Sequence, residues 1–362
     1  SRAIREKFNA QIKEIMVHTG QHYDANMSQI FFDEMGIPAP DYNLNVGSGT
    51  HGKQTAAMIV GIEEILLKEK PNAIVLYGDT NSTLAGAVAA AKIHIPVVHI
   101  ESGLRSYSKT MPEEINRIMC DHVSTLLFSP TKTGFENLLK EGFKKDNKAP
   151  FTSDNPKIYH CGDVMYDNSL FFSKVAEGKT TVLQKHNLKK GNYILATIHR
   201  NNNTDEPERL NSLFKSLNDI SLKYNLEVVL PLHPRTAKLL ESNLTSQNFQ
   251  NIQSNNGFKI IEPASFLEMI ALEKNCSLVM TDSGGVQKEA FYFEKPCVIL
   301  RPETEWVELV ECGAAIVADA NEERIKSAFD KLTSNAELKF PKLYGDGNAA
   351  EFIRKEMLAV FF

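Results

Sequence analysis

The stretch Leu278-Val-Met-Thr-Asp-Ser-Gly-Gly-Val-Gln-Lys-Glu-Ala290 decides the fold of this 362-residue chain. Its first four residues, Leu278 to Thr281, are apolar enough to predict a β-strand that is buried on both faces. Asp282 and Ser283 are residue types that commonly cap the N-terminus of a helix, and residues 287–293 have a helical pattern. A buried strand that leads through a turn into a helix is typical of α/β proteins with parallel sheets.

The turn between this strand and helix has the features of an anion-binding site. Gly284 and Gly285 allow the backbone to approach a ligand closely. The free N–H groups at the start of a helix, together with the positive end of its dipole, attract phosphate. Glu289 follows about one helical turn later and is a hydrogen-bond acceptor suited to the hydroxyls of a ribose. The turn is therefore a candidate site for a nucleoside diphosphate, and an ordinary strand-to-helix turn is the alternative.

Composition and charge exclude several other classes of protein. A net charge of −5 gives no electrostatic basis for binding nucleic acid or an anionic membrane. No apolar run approaches the roughly 20 residues that cross a bilayer, and the charged first residues do not resemble a signal peptide. The five cysteines lack CxxC spacing, which predicts reduced thiols in a cytoplasmic protein.

Strands and helices alternate in two blocks along the chain. Because β-α-β order produces a parallel sheet covered by helices, the sequence predicts an α/β fold with two doubly wound domains that face a cleft. A polar loop at residues 144–157 precedes the second block. The predicted strands are Glu14–His18, Ala73–Tyr77, Pro96–Ile100 and Thr125–Ser129 in the first block, and Tyr193–Ile198, Glu227–Leu232, Lys259–Glu262, Leu278–Thr281 and Cys297–Leu300 in the second.

The predicted domains are residues 1–160, joined by the C-terminal helix at 346–362, and residues 161–345. The amphipathic pattern of Asn348–Leu358 predicts that this last helix folds back onto the first domain. A doubly wound domain normally opens on a central strand, whereas this sequence opens on a helical pattern. The first strand of the first domain is therefore expected to be missing.

Three carboxylates follow predicted strands of the first block or open the helix after them. Asp79 and Glu101 come directly after strands, and Glu113 lies in the first turn of a helix. Carboxylates clustered at one sheet edge shift each other's pKa values, so that one site can hold both an acid and a base. The alternative is that each one caps a helix or braces a loop. Metal-binding spacing, a GxSxG elbow and a GxGxxG fingerprint are all absent from the sequence, so no metal site is expected.

Cationic and aromatic residues follow the strands of the second block. His199, Arg200 and Arg301 come at strand ends, where their charge would stabilise a departing diphosphate. His233 follows the next strand along the chain, and Phe266 precedes a helix where its ring could contact a nucleobase. The alternative for the His-Arg pair is a turn whose polar groups are satisfied within the fold.

At this point the chain resembles the non-hydrolysing UDP-N-acetylglucosamine 2-epimerases. The resemblance covers nearly the whole chain, and its motifs keep their order and approximate spacing. The matching motifs are GDTNST (78–83), HIESGLRS (99–106), MPEEINR (111–117), IHR (198–200), TDSGGVQKEA (281–290), RPETEW (301–306) and YGDG (344–347).

The resemblance implies a glycosyltransferase-B type fold, in which two Rossmann-like domains face a cleft, and a homodimer that needs no nicotinamide cofactor and no obligatory metal. It also implies an isomerase that inverts C2 of UDP-N-acetylglucosamine to give UDP-N-acetylmannosamine. The family reaction eliminates UDP to form 2-acetamidoglucal and then adds UDP back. The product supplies precursors for surface polysaccharide.

The same resemblance implies roles for particular residues. The catalytic carboxylates would be Asp79, Glu101 and Glu113, and the sequence leaves open which of them takes the C2 proton. His199 would assist at the departing diphosphate. Gln21 and His22 match positions of an allosteric site. UDP would be held by Ser283, Gly284, Gly285 and Glu289. By their positions in the sequence, and not by the resemblance, Arg200, His233, Phe266 and Arg301 are further candidates for contact with the substrate.

Some motifs look closest to a subgroup that acts on UDP-2,3-diacetamido-2,3-dideoxyglucuronate. The substrate of that subgroup carries a carboxylate, which would need an additional cation, and Arg105 and Lys109 are the candidates. Three further functions are compatible with a UDP-binding turn, namely a UDP-sugar glycosyltransferase, a relative that hydrolyses the substrate, and a non-catalytic UDP-sugar-binding protein.

Overall fold

The computed structural model describes residues 12–20, 36, 39–232, 240, 242–335 and 337–362. The chain divides into two compact units, of which the first contains Ser1–Asp167 and Lys342–Phe362 and the second contains Asn168–Pro341. Each unit is built on a parallel sheet covered by helices, which confirms the predicted α/β class. Within the described residues, none of the helices combines the length and the apolar character that a membrane span requires.

The elements are numbered here in chain order. They are β1 (Val17–His18), β2 (Tyr42–Asn43), α1 (His51–Glu69), β3 (Ile74–Tyr77), α2 (Asn81–Lys92), β4 (Val97–Ile100), α3 (Pro112–Val123), β5 (Leu126–Ser129), α4 (Lys132–Lys140), β6 (Lys157–His160), α5 (Val164–Lys179), α6 (Val182–Lys185), β7 (Tyr193–Thr197), α7 (Asn201–Thr204), α8 (Pro207–Tyr224), β8 (Glu227–Pro231), α9 (Ser246–Ser254), β9 (Phe258–Ile261), α10 (Phe266–Asn275), β10 (Leu278–Thr281), α11 (Gly284–Tyr292), β11 (Cys297–Ile299), α12 (Val307–Glu311), β12 (Ala315–Val317), α13 (Glu322–Ser334) and α14 (Ala349–Phe361).

The first unit contains a four-stranded sheet in the order β3-β4-β5-β6, in which every pair is parallel. All residues of β4 and β5 are buried, which explains why these strands lack an alternating polar pattern. The C-terminal helix α14 packs into this unit, with Ile353 and Met357 in one cluster with Val98 and Phe128. Its N-terminus is held by Asp167, whose carboxylate accepts hydrogen bonds from the first backbone N–H groups of the helix. The predicted return of this helix to the first domain is confirmed.

The second unit contains a six-stranded parallel sheet in the order β12-β11-β10-β7-β8-β9. The chain runs outward from β7 to β9 on one side, and then returns to β10 and runs outward on the other side. The neighbouring strands β7 and β10 therefore form the point at which the strand order reverses, and ligands of such sheets bind at the carboxyl ends of the strands there. Asp282-Ser283 directly follows β10, and His199-Arg200 comes one residue after the end of β7.

Several predicted elements differ from the structure. The predicted strand Glu14–His18 is limited to Val17–His18, and it pairs with β2 rather than with the four-stranded sheet. The strands β6 and β12 are absent from the prediction, since β6 has charged or polar ends and β12 is only three residues long. The helix α11 begins at Gly284, so both glycines belong to its first turn instead of a preceding loop.

Gly103 allows two segments of the first unit to approach closely. Its φ of +79° lies in the left-handed region, where side chains other than that of glycine are strained. A methyl group at this position would lie 2.2 Å from the carbonyl oxygen of Gly134. The loop after β4, which carries Glu101, is therefore packed directly onto helix α4.

We expect Gly103→Ala to lower the free energy of unfolding by about 3 kcal/mol, because backbone strain and overpacking both contribute. Gly142→Ala is the matched control, since Gly142 also has a positive φ but has open space around it. It should cost about 1 kcal/mol. Urea denaturation followed by circular dichroism measures both values, and equal losses in the two variants would contradict the close-packing account.

Candidate active site

The buried carboxylate of Asp282 joins the two loops that meet at the reversal point of the second sheet. It is fully buried and accepts hydrogen bonds of 3.1 Å from the backbone N–H groups of His199 and Arg200. The side-chain amide of Asn203 donates a third bond of 3.0 Å. A buried carboxylate requires such donors to offset its desolvation, so this contact fixes the His199-Arg200 turn against the end of β10.

The N-terminus of α11 is capped and open to polar groups. The hydroxyl of Ser283 accepts a hydrogen bond from the N–H of Val286, as an N-cap residue does. A Cβ atom at Gly284 would lie 2.3 Å from Oε1 of Glu305, so glycine leaves room for the Glu305 carboxylate beside the first turn of the helix. Glu305 pairs with the buried Arg301 at 2.9 Å. The turn is thus a capped helix start beside the Arg301–Glu305 ion pair, and its binding of phosphate stays a prediction.

The other predicted residues of the second unit differ in exposure. His199 and Arg200 have exposed side chains, which leaves both groups accessible to a ligand at the carboxyl ends of the strands. Glu289 is half-buried, and its negative charge adds to burial in raising the pKa of Glu273 above its usual value. Phe266 is half-buried and packs edge-on against Phe172, with ring centroids 5.1 Å apart.

In the first unit, Asp79 forms an ion pair with the buried Arg117. The Nη2 and Nε atoms of Arg117 lie 2.6 and 2.9 Å from Oδ2 of Asp79. The Asp79 side chain remains 30% exposed, whereas that of Arg117 is only 6% exposed. The amide of Asn116 also donates to the backbone carbonyl of Asp79. Helix α3 therefore holds the loop after β3 and keeps one face of the Asp79 carboxylate open to solvent.

The adjacent residues Glu113 and Glu114 have different environments. Glu114 is buried and accepts hydrogen bonds from the N–H groups of Ser106 and Tyr107 and from Arg117. Burial works to raise the pKa of Glu114, but these N–H groups and Arg117 outweigh it and lower the pKa. Glu113 is exposed. Glu114 therefore anchors the loop, while Glu113 is the carboxylate that a ligand can reach.

Glu101 has an unusual backbone conformation. Its φ is +76°, in the left-handed region that a glutamate rarely adopts. Its N–H donates to the carbonyl of Phe128 on β5, which helps to hold this conformation. A Cβ atom at Gly78 would lie 3.5 Å from Oε2 of Glu101. The carboxylate of Glu101 therefore lies beside the loop that carries Asp79. Retained strain of this kind is common at functional sites.

A buried ion pair lies beneath these loops. His99 donates from Nδ1 to Oδ1 of Asp121 at 2.7 Å, and Nε2 lies 2.8 Å from the carbonyl oxygen of Gly78. Oδ2 of Asp121 accepts from the N–H of Gly103 and from Arg105. Because the Gly78 carbonyl can only accept, and Asp121 accepts from three donors, both ring nitrogens of His99 carry protons.

The pKa values of this pair agree with the geometry. Burial by itself would lower the pKa of His99, but the hydrogen bond and charge of Asp121 raise it above its usual value of 6.5. Burial by itself would raise the pKa of Asp121, but His99 and Arg105 lower it below its usual value of 3.8. Both shifts favour the charged form of each partner.

Arg105 is directed into the first unit. Its guanidinium is 1% exposed and lies 2.7 Å from Glu141 and 2.8 Å from Asp121. Burial works to lower the pKa of Arg105, but these two carboxylates raise it further above its usual value. Each described contact of the guanidinium thus joins the loop after β4 to other residues of the first unit. Contact of Arg105 with a substrate stays a prediction.

Three of the predicted residues lie outside the described residues, namely Gln21, His22 and His233. Within the part of the chain that the structure describes, His, Cys, Asp and Glu side chains form no cluster suited to a metal ion. The supporting residues Arg117, Asp121 and Asn203 were not singled out from the sequence. A signal existed for Arg117 alone, because it ends the MPEEINR motif one helical turn after Glu113.

The sequence profile of the family described as UDP-N-acetylglucosamine 2-epimerase matches residues 4–358. The chain is 47% identical over 359 residues to the UDP-2,3-diacetamido-2,3-dideoxy-D-glucuronate 2-epimerase of Pseudomonas aeruginosa, which covers 98% of this chain and 94% of that protein. It is 44% identical over 345 residues to a UDP-N-acetylglucosamine 2-epimerase of Methanococcus maripaludis, which covers 94% of this chain and 90% of that protein.

A solved structure gives the same result. The UDP-GlcNAc 2-epimerase of Methanocaldococcus jannaschii in complex with UDP-GlcNAc and UDP has a TM-score of 0.84 and 41% identity to this chain. The match covers 99% of this chain and 94% of that one. These similarities confirm the resemblance that the sequence motifs indicated.

The His99–Asp121 pair predicts a pH-dependent contribution to stability. Because the pKa of His99 is raised on folding, its protonated ring stabilises the folded state fully below pH 6.5. This stabilisation is lost as the pH rises through the raised pKa. Because the pKa of Asp121 is lowered on folding, its carboxylate stabilises the folded state above pH 3.8. This stabilisation is lost as the pH falls through the lowered pKa. We expect Asp121→Asn to lower the free energy of unfolding by about 3–5 kcal/mol between these limits, and by less at alkaline pH.

Urea denaturation across a pH series measures this difference. Glu136→Gln is the matched control, because its ion pair with Lys132 is exposed and should change the free energy by less than about 1 kcal/mol. If Asp121→Asn lowered the free energy of unfolding no more than this control does, or by an amount that does not change with pH, the His99–Asp121 pair would not be charged.

Proposed function

The chain belongs to the UDP-N-acetylglucosamine 2-epimerase family, and from this membership we propose that it interconverts UDP-N-acetylglucosamine and UDP-N-acetylmannosamine. The observation that carries the proposal is the Asp282 contact, because it holds the exposed His199-Arg200 turn beside the capped start of α11. Backbone N–H groups at a helix N-terminus and adjacent cationic side chains suit a diphosphate that departs and returns. The relatives named above are 2-epimerases, which favours this reaction over glycosyl transfer and over binding alone.

In this proposal the second unit binds the UDP portion of the substrate. Ser283, Gly284 and Gly285 offer the helix start to the diphosphate, and Glu289 accepts hydrogen bonds from the ribose. His199 and Arg200 stabilise the negative charge that develops on the departing diphosphate. Further contacts are assigned to Arg301, Phe266 and His233.

The carboxylates of the first unit exchange the proton at C2. One of Asp79, Glu101 and Glu113 removes this proton while the bond between C1 and the diphosphate oxygen breaks, which leaves a C1–C2 double bond in 2-acetamidoglucal. UDP then adds back to C1, and a proton is delivered to the opposite face of C2. Two carboxylates on opposite sides of the ring suffice for this exchange, since proton removal and delivery are separate steps.

The similarity to the Pseudomonas aeruginosa protein favours a second candidate substrate, UDP-2,3-diacetamido-2,3-dideoxyglucuronate. That substrate would follow the same chemistry, because its C2 also carries an acetamido group. Against it, the predicted cation Arg105 is buried and paired with Glu141 and Asp121. Incubation with each nucleotide sugar, followed by chromatography and mass spectrometry, separates the two candidates. Conversion of UDP-N-acetylglucosamine to UDP-N-acetylmannosamine is the expected result, and conversion of the diacetamido sugar alone would overturn the substrate assignment.

From the same family resemblance we propose a cytoplasmic homodimer that supplies precursors for surface polysaccharide. Light scattering coupled to size-exclusion chromatography tests the dimer. A molar mass of about 81 kDa, twice the chain mass of 40.5 kDa, is expected, and a mass of one chain would contradict it.

We expect Asp79→Asn and Glu113→Gln to lower kcat about a thousandfold, since acid-base groups contribute on the order of 10²–10⁴ to a rate. The affinity for UDP should be unchanged, because the UDP site is assigned to the second unit. Glu136→Gln is the control, as this glutamate is exposed on α4. Isothermal titration with UDP and a chromatographic rate assay measure the two effects, and full activity in both variants would refute the carboxylate assignment.

A further inference from the structure

The loop that carries Asp79 is held at its backbone by side chains of three different elements. Three consecutive carbonyl groups at the end of β3 accept these hydrogen bonds, at distances of 2.7 to 2.8 Å. The donors are Oγ1 of Thr83 on α2 for the carbonyl of Tyr77, Nε2 of His99 on β4 for that of Gly78, and Nδ2 of Asn116 on α3 for that of Asp79. Because backbone carbonyls need donors, the position of Asp79 depends on how the amide of Asn116 is oriented.

Asn116 is the first of three buried carboxamides that are hydrogen-bonded in a chain. Its Nδ2 atom donates to the carbonyl of Asp79 at 2.8 Å and to Oδ1 of Asn81 at 3.3 Å. Nδ2 of Asn81 donates in turn to Oε1 of Gln54 at 3.0 Å. Nε2 of Gln54 donates to the backbone carbonyl of Gly47 at 2.9 Å. The chain therefore joins the loop of Asp79 to the loop before α1, through one residue each of α3, α2 and α1.

The direction of this carboxamide chain is fixed at both ends, because a backbone carbonyl can only accept a hydrogen bond. Asn116 must therefore turn its Nδ2 atom toward Asp79. For the same reason Gln54 must turn its Nε2 atom toward Gly47. Between them, Asn81 satisfies both neighbours in one orientation only, with Oδ1 toward Asn116 and Nδ2 toward Gln54. A reversed amide would bring two donors or two acceptors together, which is costly in a buried site.

Asn81 is the junction of the carboxamide chain. Nδ2 of Asn81 lies 3.1 Å from Nδ1 of His51, the first residue of α1. Because Nδ2 of Asn81 is a donor, Nδ1 of His51 is the acceptor of this hydrogen bond. The two hydrogens of the Asn81 amide are thus bonded to residues of α1, and its oxygen is bonded to α3. The orientation of Asn116 is therefore set by α1 through Asn81.

The helix that holds Asp79 also carries Glu113. Glu113 lies three residues before Asn116, so the two residues share one face of α3. A change in the orientation of the Asn116 amide would move Asp79 relative to α3, and hence relative to Glu113. The carboxamide chain therefore sets the distance between these two carboxylates.

We propose that Asn81 is a positioning residue for the exchange of the C2 proton, because it fixes the amide of Asn116 that holds the backbone of Asp79. The inference rests on the proposed function, which assigns Asp79 and Glu113 to that exchange. Reacting groups must be held within about 0.5 Å of their productive geometry, and a misplacement of about 1 Å can cost on the order of 10²-fold in rate. Gln54 belongs to the same device, since it holds Asn81 from α1.

Two substitutions of Gln54 separate the hydrogen-bonding role of the chain from packing. Gln54→Met removes the acceptor for Asn81, whereas Gln54→Glu keeps this acceptor and loses only the donor to Gly47. We expect kcat for the conversion of UDP-N-acetylglucosamine to fall about tenfold in Gln54→Met and to stay within about threefold of the wild-type value in Gln54→Glu. Asn81→Leu removes the whole junction and should lower kcat about a hundredfold.

The KM for UDP-N-acetylglucosamine and the Kd for UDP should stay within about twofold of the wild-type values in all three variants, because a misplaced Asp79 affects the transition state and not the binding of UDP. A chromatographic assay measures kcat and KM, and isothermal titration measures the Kd for UDP. Circular dichroism measures the folded fraction, by which each kcat is corrected.

Asn218→Leu is the matched control. It removes a buried carboxamide of the second unit, whose oxygen accepts a hydrogen bond of 2.9 Å from Asn255. Asn255 comes three residues before β9, at the amino end of that strand, whereas ligands of such sheets bind at the carboxyl ends. The control should lose stability and keep the wild-type kcat for each folded molecule.

The outcomes separate this inference from the proposed function. A folded wild-type protein that leaves UDP-N-acetylglucosamine unchanged would overturn the proposed function and this inference with it. An active wild-type protein, combined with full kcat in folded Asn81→Leu, would overturn the role of Asn81 alone. Equal losses of kcat in Gln54→Met and Gln54→Glu would also overturn it, as would a raised KM with unchanged kcat. A loss in Gln54→Met with rescue in Gln54→Glu supports it, and these two variants decide the matter if Asn81→Leu does not fold.

Discussion

The buried carboxylate of Asp282 is the contact on which the arrangement of the second unit depends. The ends of β7 and β10 lie side by side at the reversal point of the sheet, and the chain turns there with backbone N–H groups that need acceptors. Asp282 accepts from two of these groups and from Asn203. The carboxylate of Asp282 therefore accepts hydrogen bonds from the backbone N–H groups of His199 and Arg200. The adjacent Ser283 caps the start of α11. The same interaction offsets the cost of burying a charge and fixes the candidate nucleotide site.

The first unit uses buried acidic residues in a similar way. Asp121 accepts from His99, Arg105 and the N–H of Gly103, and thereby holds the loop that carries Glu101. Glu114 accepts from two backbone N–H groups of the loop that precedes its helix. In each case the ionised group that holds a loop is buried, and the carboxylate assigned to the reaction is more exposed. This division lets the reactive groups keep access to a ligand while their backbone stays rigid.

The sequence predicts features that depend on residues close together in the chain, and it fails for features that depend on residues far apart in the chain. The strand Leu278–Thr281 has the predicted bounds, because three consecutive apolar residues and a threonine show no alternation of polar and apolar residues and fit a strand buried on both faces. Asp79 and Glu101 were found because the carboxyl ends of parallel strands meet at one edge. The start of α11 was placed too late, since glycine disfavours a helix and only the Ser283 cap reveals its true beginning. The positive φ of Glu101 depends on a hydrogen bond to Phe128 on a different strand, so no local pattern could predict it.

The account makes one central claim, that the chain removes and restores the proton at C2 of a UDP-N-acetylhexosamine. Incubation of the protein with UDP-N-acetylglucosamine in deuterated water, followed by proton NMR, tests this claim directly. The account predicts loss of the C2 proton signal from the substrate pool as deuterium enters, together with growth of UDP-N-acetylmannosamine that carries deuterium at C2. An unchanged C2 signal in a protein that binds UDP would contradict it, and release of free N-acetylmannosamine would show hydrolysis in place of epimerisation.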